Sequence, residues 1–311
     1  MGKYIIKRML AALPMMLAVS FIAFVLINLI PADPAEVVLR VNEIIPTEEA
    51  IAGMREELGL DKPYLQRYFD WLQDVSRLNF GNSYVNKNRT VIGEITRSLP
   101  ATLELAAASL LIVIFVSIPV GVLCAVWKDS IFDRVVRFFI FIGTAMPNYW
   151  IGILLIWLFA VRLGVLPTGG NKEEGAIILP AITLSLTYIS TYVRLIRNSM
   201  LENMTENYVF YAKVRGIKDR NIILKHVFKN SLQSSITALG MSVVQLLAGT
   251  VVVENIFSWP GIGRLCITSI FNRDYPIIQA YILMMGMLFV FCNLIVDIVH
   301  HKLDPRLNRV M

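Results

Sequence analysis

Six stretches of this chain, 9–30, 102–127, 138–161, 177–197, 235–257 and 277–299, are long runs of apolar residues with few or no charges. A bilayer core of about 30 Å needs roughly 20 apolar residues per helix, and each stretch reaches that length. With 56% hydrophobic and 17% charged residues and a mean hydropathy of +0.62, the chain carries more apolar surface than one soluble core can hide. The fold class expected is an all-α polytopic membrane protein with six transmembrane helices.

Lysine and arginine placement orients the spans, because short basic loops stay cytoplasmic. Lys3, Lys7 and Arg8 precede the first span, Lys128, Arg134 and Arg137 follow the second, and Lys302, Arg306 and Arg309 close the chain. The stretch from Arg194 to Lys229, running from the end of the fourth span toward the fifth, holds eight basic residues, Arg194, Arg197, Lys213, Arg215, Lys218, Arg220, Lys225 and Lys229, against three acids, Glu202, Glu206 and Asp219. Residues 31–98 have eight Lys/Arg and eleven Asp/Glu, a net of −3, and are assigned outside. Both termini are therefore expected in the cytoplasm. The first apolar run exceeds the 7 to 15 residues of a signal core, and Pro31-Ala32-Asp33-Pro34 offers no small-x-small cleavage site, so the run is expected to remain as a helix. Cys124, Cys266 and Cys292 are spread over distant segments and read as packing residues.

The outer segment 31–98 is expected to fold as a small helical insert. Thr47 can cap a helix running to about Leu58 with Gly59 closing it, and Pro63 can open a second, on which Leu65, Phe69 and Leu72 share one face. Tyr64, Tyr68 and Trp71 form a neighbouring aromatic stripe, suited to an external partner or to the membrane interface.

The basic segment reads as helix, tight turn, helix. Thr205 is placed to cap the first helix with Glu206 in its first turn, Gly216 falls where a left-handed residue ends a helix, and Asp219 can cap a second helix bearing Ile222, Ile223 and Val227. A solvated loop, a DNA-reading helix-turn-helix and an element gripped by a soluble motor all fit that outline. Nucleic-acid binding is set aside, since the unit is pinned close to lipid at both ends and lacks a third helix.

At this point the residues carry a resemblance. Tyr208-Val209-Phe210-Tyr211-Ala212-Lys213-Val214-Arg215-Gly216, followed by Lys225-His226-Val227-Phe228-Lys229-Asn230-Ser231-Leu232, resembles the coupling loop of permease subunits of binding-protein-dependent ABC importers, in the branch handling peptides and nickel. Arg8, Pro14, Ile30-Pro31-Ala32-Asp33-Pro34, Leu58-Gly59-Leu60-Asp61-Lys62-Pro63, Phe80-Gly81-Asn82-Ser83-Tyr84 and Leu99-Pro100-Ala101-Thr102-Leu103-Glu104-Leu105 are similar to the family's first half. Glu254 to Arg264 and Phe271 to Gln279 resemble the outer loop before its last span, so the resemblance covers nearly the whole chain. Ser234 departs from it, where many relatives have a proline.

The resemblance implies the following division: residues 1–30 a first transmembrane helix, 31–98 an extracytoplasmic insert, 99–301 a core of five helices with a coupling loop at 198–229, and 302–311 a cytoplasmic tail. It implies a bacterial inner-membrane location, a second homologous permease, two ATPase subunits that bind ATP and Mg, and an extracytoplasmic substrate-binding protein. The chain itself has no G-x-x-x-x-G-K-[ST] phosphate cradle, so no catalytic residue, cofactor or metal ligand is assigned to it. Tyr211, Ala212, Lys213, Arg215, Gly216, His226 and Asn230 are the implied coupling residues. Ala212 and Gly216 would allow close approach to an ATPase cleft, with Lys213 and Arg215 holding the membrane-side register.

Polar groups inside spans are expensive in lipid and usually face protein or water. Thr183, Ser185, Thr187, Ser190 and Thr191 in the fourth span, Ser242, Gln245 and Thr250 in the fifth, and Asn148 after an expected kink at Pro147 are candidates. Of these, Asn148, Ser185, Thr187, Ser242 and Gln245 are the possible translocation path, although serine and threonine can equally bond their own helix backbone. Glu104, Glu254 and Asp297 lie only at span ends. For the cargo, Asn255 to Gly261, Ile270 to Pro276 and Cys292 to Asp297 resemble nickel permeases most, with a dipeptide or oligopeptide permease as the alternative. Bare nickel favours imidazole or thiolate, whereas His226, His300 and His301 all sit near the cytoplasmic side. Passage as a chelate or hydrated ion is therefore expected. A structural or sensory membrane protein is the remaining alternative; an intramembrane enzyme is not, for lack of a catalytic pair within the spans.

Overall fold

The computed structural model describes residues 2–29, 33–86 and 88–303, apart from the side chains of 2–7, 233, 234, 236, 237, 239, 241 and 299–303. The readings attached to Ile30-Pro31-Ala32, to the side chains of Lys3, Lys7, Ser234, His300, His301 and Lys302, and to the tail with Arg306 and Arg309 lie outside the described residues. In chain order the helices are α1 (Gly2–Asn28), α2 (Pro34–Val41), α3 (Glu48–Glu57), α4 (Tyr64–Ser76), α5 (Val91–Val126), α6 (Ile131–Ala145), α7 (Asn148–Leu155), α8 (Ile178–Met204), α9 (Asn207–Val214), α10 (Asp219–Asn221), α11 (Phe228–Ile256), α12 (Ile262–Phe271) and α13 (Tyr275–Leu303). π-Helical turns at Ile156–Arg162 and Ile222–Val227 extend α7 and join α10 to α11. Among the described residues the only β pairing is a single bridge, Asn82 to Thr90.

Among the described residues, four helices are long and apolar enough to cross a membrane: α1 from Arg8, α5, α8, and α13 to Ile298. The expected third span is not one rod. α6 and α7 with its π turn meet at 110°, and become a fifth crossing only if the bent pair counts as one. Pro147 explains the break: it has no N–H to continue α6, and Met146 before it is extended at φ −90°, ψ 134°. The expected fifth span falls on α11, whose described apolar stretch, Ser242–Ile256, is shorter than a full span.

The chain divides into two compact units, Met1–Ala101 with Pro260–Leu294 and Thr102–Trp259 with Ile295–Met311. In the first, Thr47 accepts from the Ala50 N–H to open α3, and Gly59 at φ +63° follows the cap residue Leu58, as expected. On α4 it is a member of the aromatic stripe, Tyr68, that is buried. Tyr68 is only 6% exposed, while Leu65 and Phe69 are 61% and 64% exposed. The reason is hydrogen bonding: the Tyr68 hydroxyl lies 2.9 Å from Ser20 Oγ and donates to the Leu17 carbonyl at 3.2 Å, and its ring packs edge-on to Phe21. Ser20 Oγ also donates to the Leu17 carbonyl at 2.9 Å, so the three groups form one small network.

Two of the segments that carry the resemblance meet in this unit. Asp274, 1% exposed, accepts from the Ser83 hydroxyl and from the Tyr84 N–H at 3.1 Å. The carboxylate thus ties the Phe80 to Tyr84 turn to the start of α13. Beneath it, Phe80, Val91, Ile95, Ile277, Ala280 and Leu283 form one buried cluster. Asp33 similarly caps α2 through the Ala35 N–H and pairs with Arg55 at 2.8 Å.

In the second unit α8 is the hub, packed on α6, α7 and α11. Close approach to α6 depends on Gly143, where an added Cβ would stand 2.4 Å from Ser190 Oγ. Glu254 is fully buried and accepts from the Thr102 hydroxyl at 2.6 Å. Cys124 and Cys266 are buried, Cys292 is partly buried, and all three are free.

Candidate functional site

Two regions of the second unit hold the residues singled out from the sequence. The first is the face of α8 turned toward α7 and α11. Asn148 Oδ1 accepts from the Thr187 hydroxyl, and the Tyr192 hydroxyl donates to Ser242 Oγ at 2.5 Å. Thr191 bonds the Thr187 carbonyl at 3.1 Å and is exposed. Gln245 is exposed on α11. Ser185 is turned inside: it is fully buried and donates to the Ile182 carbonyl at 2.9 Å. Thr183 and Thr250 are buried too and bond Leu179 and Leu247 carbonyls. These three groups satisfy their own helices, which is the ordinary fate of a hydroxyl in an apolar helix.

The structure adds residues to this set. Thr187, Thr191, Arg194, Asn198 and Glu202 follow at steps of four, three, four and four, so they share one face of α8, and all but the half-buried Thr187 are exposed. The spacing was available in the sequence. Arg194 had been counted only as one of the basic residues, and Asn198 not at all.

The second region is the basic segment. α9 ends in a Schellman turn: the Gly216 N–H bonds the Lys213 carbonyl at 2.9 Å and the Ile217 N–H the Ala212 carbonyl at 3.2 Å, with Gly216 at φ +75°. A Cβ on Gly216 would meet nothing within 4 Å. The glycine is therefore required by its backbone angle, not by crowding within the chain. The capping expectations need correction. Thr205 ends α8 and bonds the Glu202 carbonyl at 2.8 Å, while Glu206 stands at the N-cap of α9. Lys218, not Asp219, occupies the N-cap of α10. Nor is the second helix separate, since α10 continues through the π turn into α11.

Burial sorts the segment into a footing and a surface. Val209 and Ala212 point inward and join Ala125, Ile196, Met200, Ile222 and Val227 in one buried cluster. Each large apolar side chain so withdrawn from water stabilises by roughly 1.5–3 kcal/mol. Ala212 thus serves the footing of α9. The surface is Phe210, Tyr211 and Val214, which are 66%, 66% and 70% exposed. Lys213, Arg215, His226 and Asn230 are also exposed, and Lys213 lies 3.8 Å from Asp219 across the turn. Three large apolar side chains on an eight-residue helix amid lysine and arginine form an interaction patch in kind. Phe210 and Val214 lie within the family-like motif, but their exposure cannot be read from the sequence of so short a helix.

Arg197, one of the eight basic residues, takes no part in that surface. Its guanidinium forms a bidentate pair with Asp133 at 2.7 and 2.8 Å, the two side chains being 11% and 0% exposed. Arg137 adds a contact at 3.4 Å, the Asp129 N–H donates to Asp133 at 3.1 Å, and Ser130 caps α6. The pair locks the start of α6 to α8, one turn before Met200 of the α9 footing.

Two family models match the chain. Residues 117–309 match the family model described as binding-protein-dependent transport system inner membrane component, and residues 1–106 match the model for the N-terminal part of such membrane components. The chain is 37% identical over 309 residues to the metal-staphylopine import system permease protein CntB of Staphylococcus aureus, covering 99% of both. It is 36% identical to the oligopeptide transport system permease protein AppB of Bacillus subtilis, covering 99% of this chain and 100% of that one. To the glutathione transport system permease protein GsiC of Salmonella typhimurium it is 33% identical, with 99% of both covered. Among solved structures, an inward-facing form of the MetNI methionine ABC transporter matches 68% of this chain and 96% of its own with a TM-score of 0.58 at 16% identity, a likeness of fold. The chain is thus a multi-pass inner-membrane protein, and it belongs to the family of binding-protein-dependent transport system inner membrane components as a permease subunit of an ABC importer.

Proposed function

We propose that this chain forms half of a translocation pathway for nickel presented as a chelate, and works with a second permease, two ATPase subunits and an extracytoplasmic binding protein. The path runs along the polar face of α8, with Asn148, Ser242 and Gln245 beside it. On this reading the bent α6–α7 pair and α11 complete six crossings, both termini are cytoplasmic, and residues 31–98 lie outside. α9 is the coupling helix, presenting Phe210, Tyr211 and Val214 to an ATPase, with Lys213, Arg215, Gly216, His226 and Asn230 around the contact. ATP and Mg would be held by those partner subunits.

The observation that carries the reading is the apolar surface of α9 standing on its own buried footing. A helix so placed transmits a push, because Val209 and Ala212 are packed against α5, α8 and the turn leading into α11. The cargo follows from the chemistry of the polar face together with the likeness to a metal-staphylopine permease. Hydroxyl and amide groups hydrogen-bond the rim of a chelate but are poor ligands for a bare nickel ion. The likeness to oligopeptide and glutathione permeases supports a peptide cargo as the second reading.

Uptake of radiolabelled nickel supplied with an amino-carboxylate chelator, and separately of a labelled dipeptide, should be compared in cells with and without this chain. Loss of nickel uptake with dipeptide uptake intact is expected. Loss of dipeptide uptake with nickel uptake intact would transfer the assignment to peptides.

A further inference from the structure

A groove of about 370 Å³ runs between α5, α6 and α8 within the second unit. Val120 of α5, Val136, Ile140 and Met146 at α6, and Leu186 and Val193 of α8 mark its walls. Ser190 is the one polar side chain that lines it, and that residue is only 5% exposed. Leu186, Ile189 and Val193 follow at steps of three and four, on a stripe of α8 beside the one that carries Thr187, Thr191 and Arg194. The groove is therefore separate from the polar face. Water finds too few hydrogen-bond partners in such a space, so the lining suits an apolar occupant.

The length of the groove narrows the choice. From Val136 to Met146 the chain advances ten residues, a rise of about 15 Å. A bilayer core is about 30 Å thick, so one leaflet's acyl chain has the same reach. Both ends of the groove are marked. At one, Pro147 turns the chain and Ile151 of α7 joins the lining. At the other, Arg197 stands one turn past Val193, and its pair with Asp133 ties α8 to α6. Phe132, four residues before Val136 on the same face of α6, lies at that end too.

That end has the make-up of a membrane–water boundary. The Phe132 ring packs edge-on against Trp127 at 5.8 Å, and Trp127 is 52% exposed. Tryptophan is enriched where lipid headgroups begin. Lys128, the next residue, is exposed and has no ion pair among the described residues. A lysine stem can lie along apolar surface while its ammonium stays with polar groups. The neighbouring arginines are placed differently. Arg137 contacts Asp129 and Asp133 at 3.6 and 3.4 Å. Arg134, two residues before Val136, falls on the opposite side of α6 and bonds the Asp129 carbonyl at 3.2 and 3.1 Å. Lys128 is thus the cation available to a headgroup here. A helix of a second copy would be the rival occupant, but close helix seams in lipid favour small residues. This groove is instead edged by Phe139, 63% exposed.

We propose that the groove holds one acyl chain of an anionic phospholipid, with Lys128 drawing in the headgroup. The site rests on the membrane location of the chain alone, and on neither the cargo nor the coupling role of α9.

The test is native mass spectrometry of the full chain in detergent, titrated with dioleoyl-phosphatidylglycerol and, separately, with dioleoyl-phosphatidylcholine, which has the same tails and no net charge. The unaltered chain is expected to bind the anionic lipid about fivefold tighter, the weight of one lysine near a charged lipid surface. Lys128→Gln should abolish that preference, whereas Arg134→Gln should keep it. Ile140→Trp, which fills the groove, should weaken both lipids by about fivefold or more. Because Lys128 is exposed, its variant remains informative even if Ile140→Trp fails to fold. Equal binding of the two lipids by the unaltered chain, a preference that survives Lys128→Gln, or an equal loss in Arg134→Gln overturns the proposal. So does a folded Ile140→Trp that binds both lipids as before, or that loses a dimeric species and no lipid, which would give the groove to a second copy.

Discussion

Replacing Arg197 by methionine is expected to destabilise the second unit by about 3–5 kcal/mol, the usual cost of leaving a buried charge without its partner. Asp133 has no exposure, and Arg197 supplies two of its hydrogen bonds. Arg137, half-exposed and 3.4 Å away, offers a single longer contact and cannot replace the bidentate pair. The measurement is thermal unfolding of the purified chain in detergent, together with its level in the membrane. The double variant Asp133→Asn with Arg197→Met should recover much of the loss, because the uncompensated carboxylate is gone. A single variant as stable as the unaltered chain would show that the pair contributes little.

The second large effect is expected at Gly216, and it should fall on transport instead of stability. A β-branched residue at φ +75° is strained by about 1–2 kcal/mol or more. That strain is relieved by opening the Schellman turn, which swings α9 away from α10. Gly216→Val should therefore lower uptake, and ATP hydrolysis by the assembled importer, by about tenfold or more. The chain should persist in the membrane, since the turn is exposed and no atom lies within 4 Å of the added Cβ. Gly216→Asn should retain most activity, because asparagine tolerates the left-handed region. Equal loss in both variants would mean that bulk at this position matters, as in direct contact with a partner, and not the backbone angle.

How far the residues alone disclosed these features follows from the range of the forces involved. The turn at Gly216 was legible because a C-terminal glycine after a short apolar helix is a local signal. So were the Thr47 cap and the break at Pro147, though a 110° turn is more than the word kink conveys. The Asp133 to Arg197 pair was not legible. Its members are 64 residues apart, and the arginine was counted as one more cytoplasmic charge. Nor does apolar spacing reveal that Tyr68 is the α4 side chain buried against Ser20 and the Leu17 carbonyl of α1.

The candidate path shows the same limit. Which threonine or serine faces its own backbone and which faces a neighbour is decided by rotation of the helix. Thr187 and Ser242 find side-chain partners on other helices, whereas Ser185 does not. On α9 the burial of Ala212 and exposure of Phe210 depend on where α8 and the π turn stand, information that eight residues do not hold.

The account turns on whether an ATPase drives this chain through the exposed face of α9. The direct measurement is substrate-stimulated ATP hydrolysis by the importer reconstituted in liposomes, with the ATPase retained on the affinity-tagged permease scored in parallel. In Phe210→Asp with Val214→Asp, stimulation and ATPase retention should both be lost while the permease remains folded, because both side chains are exposed. Unchanged stimulation and retention in that variant would contradict the account.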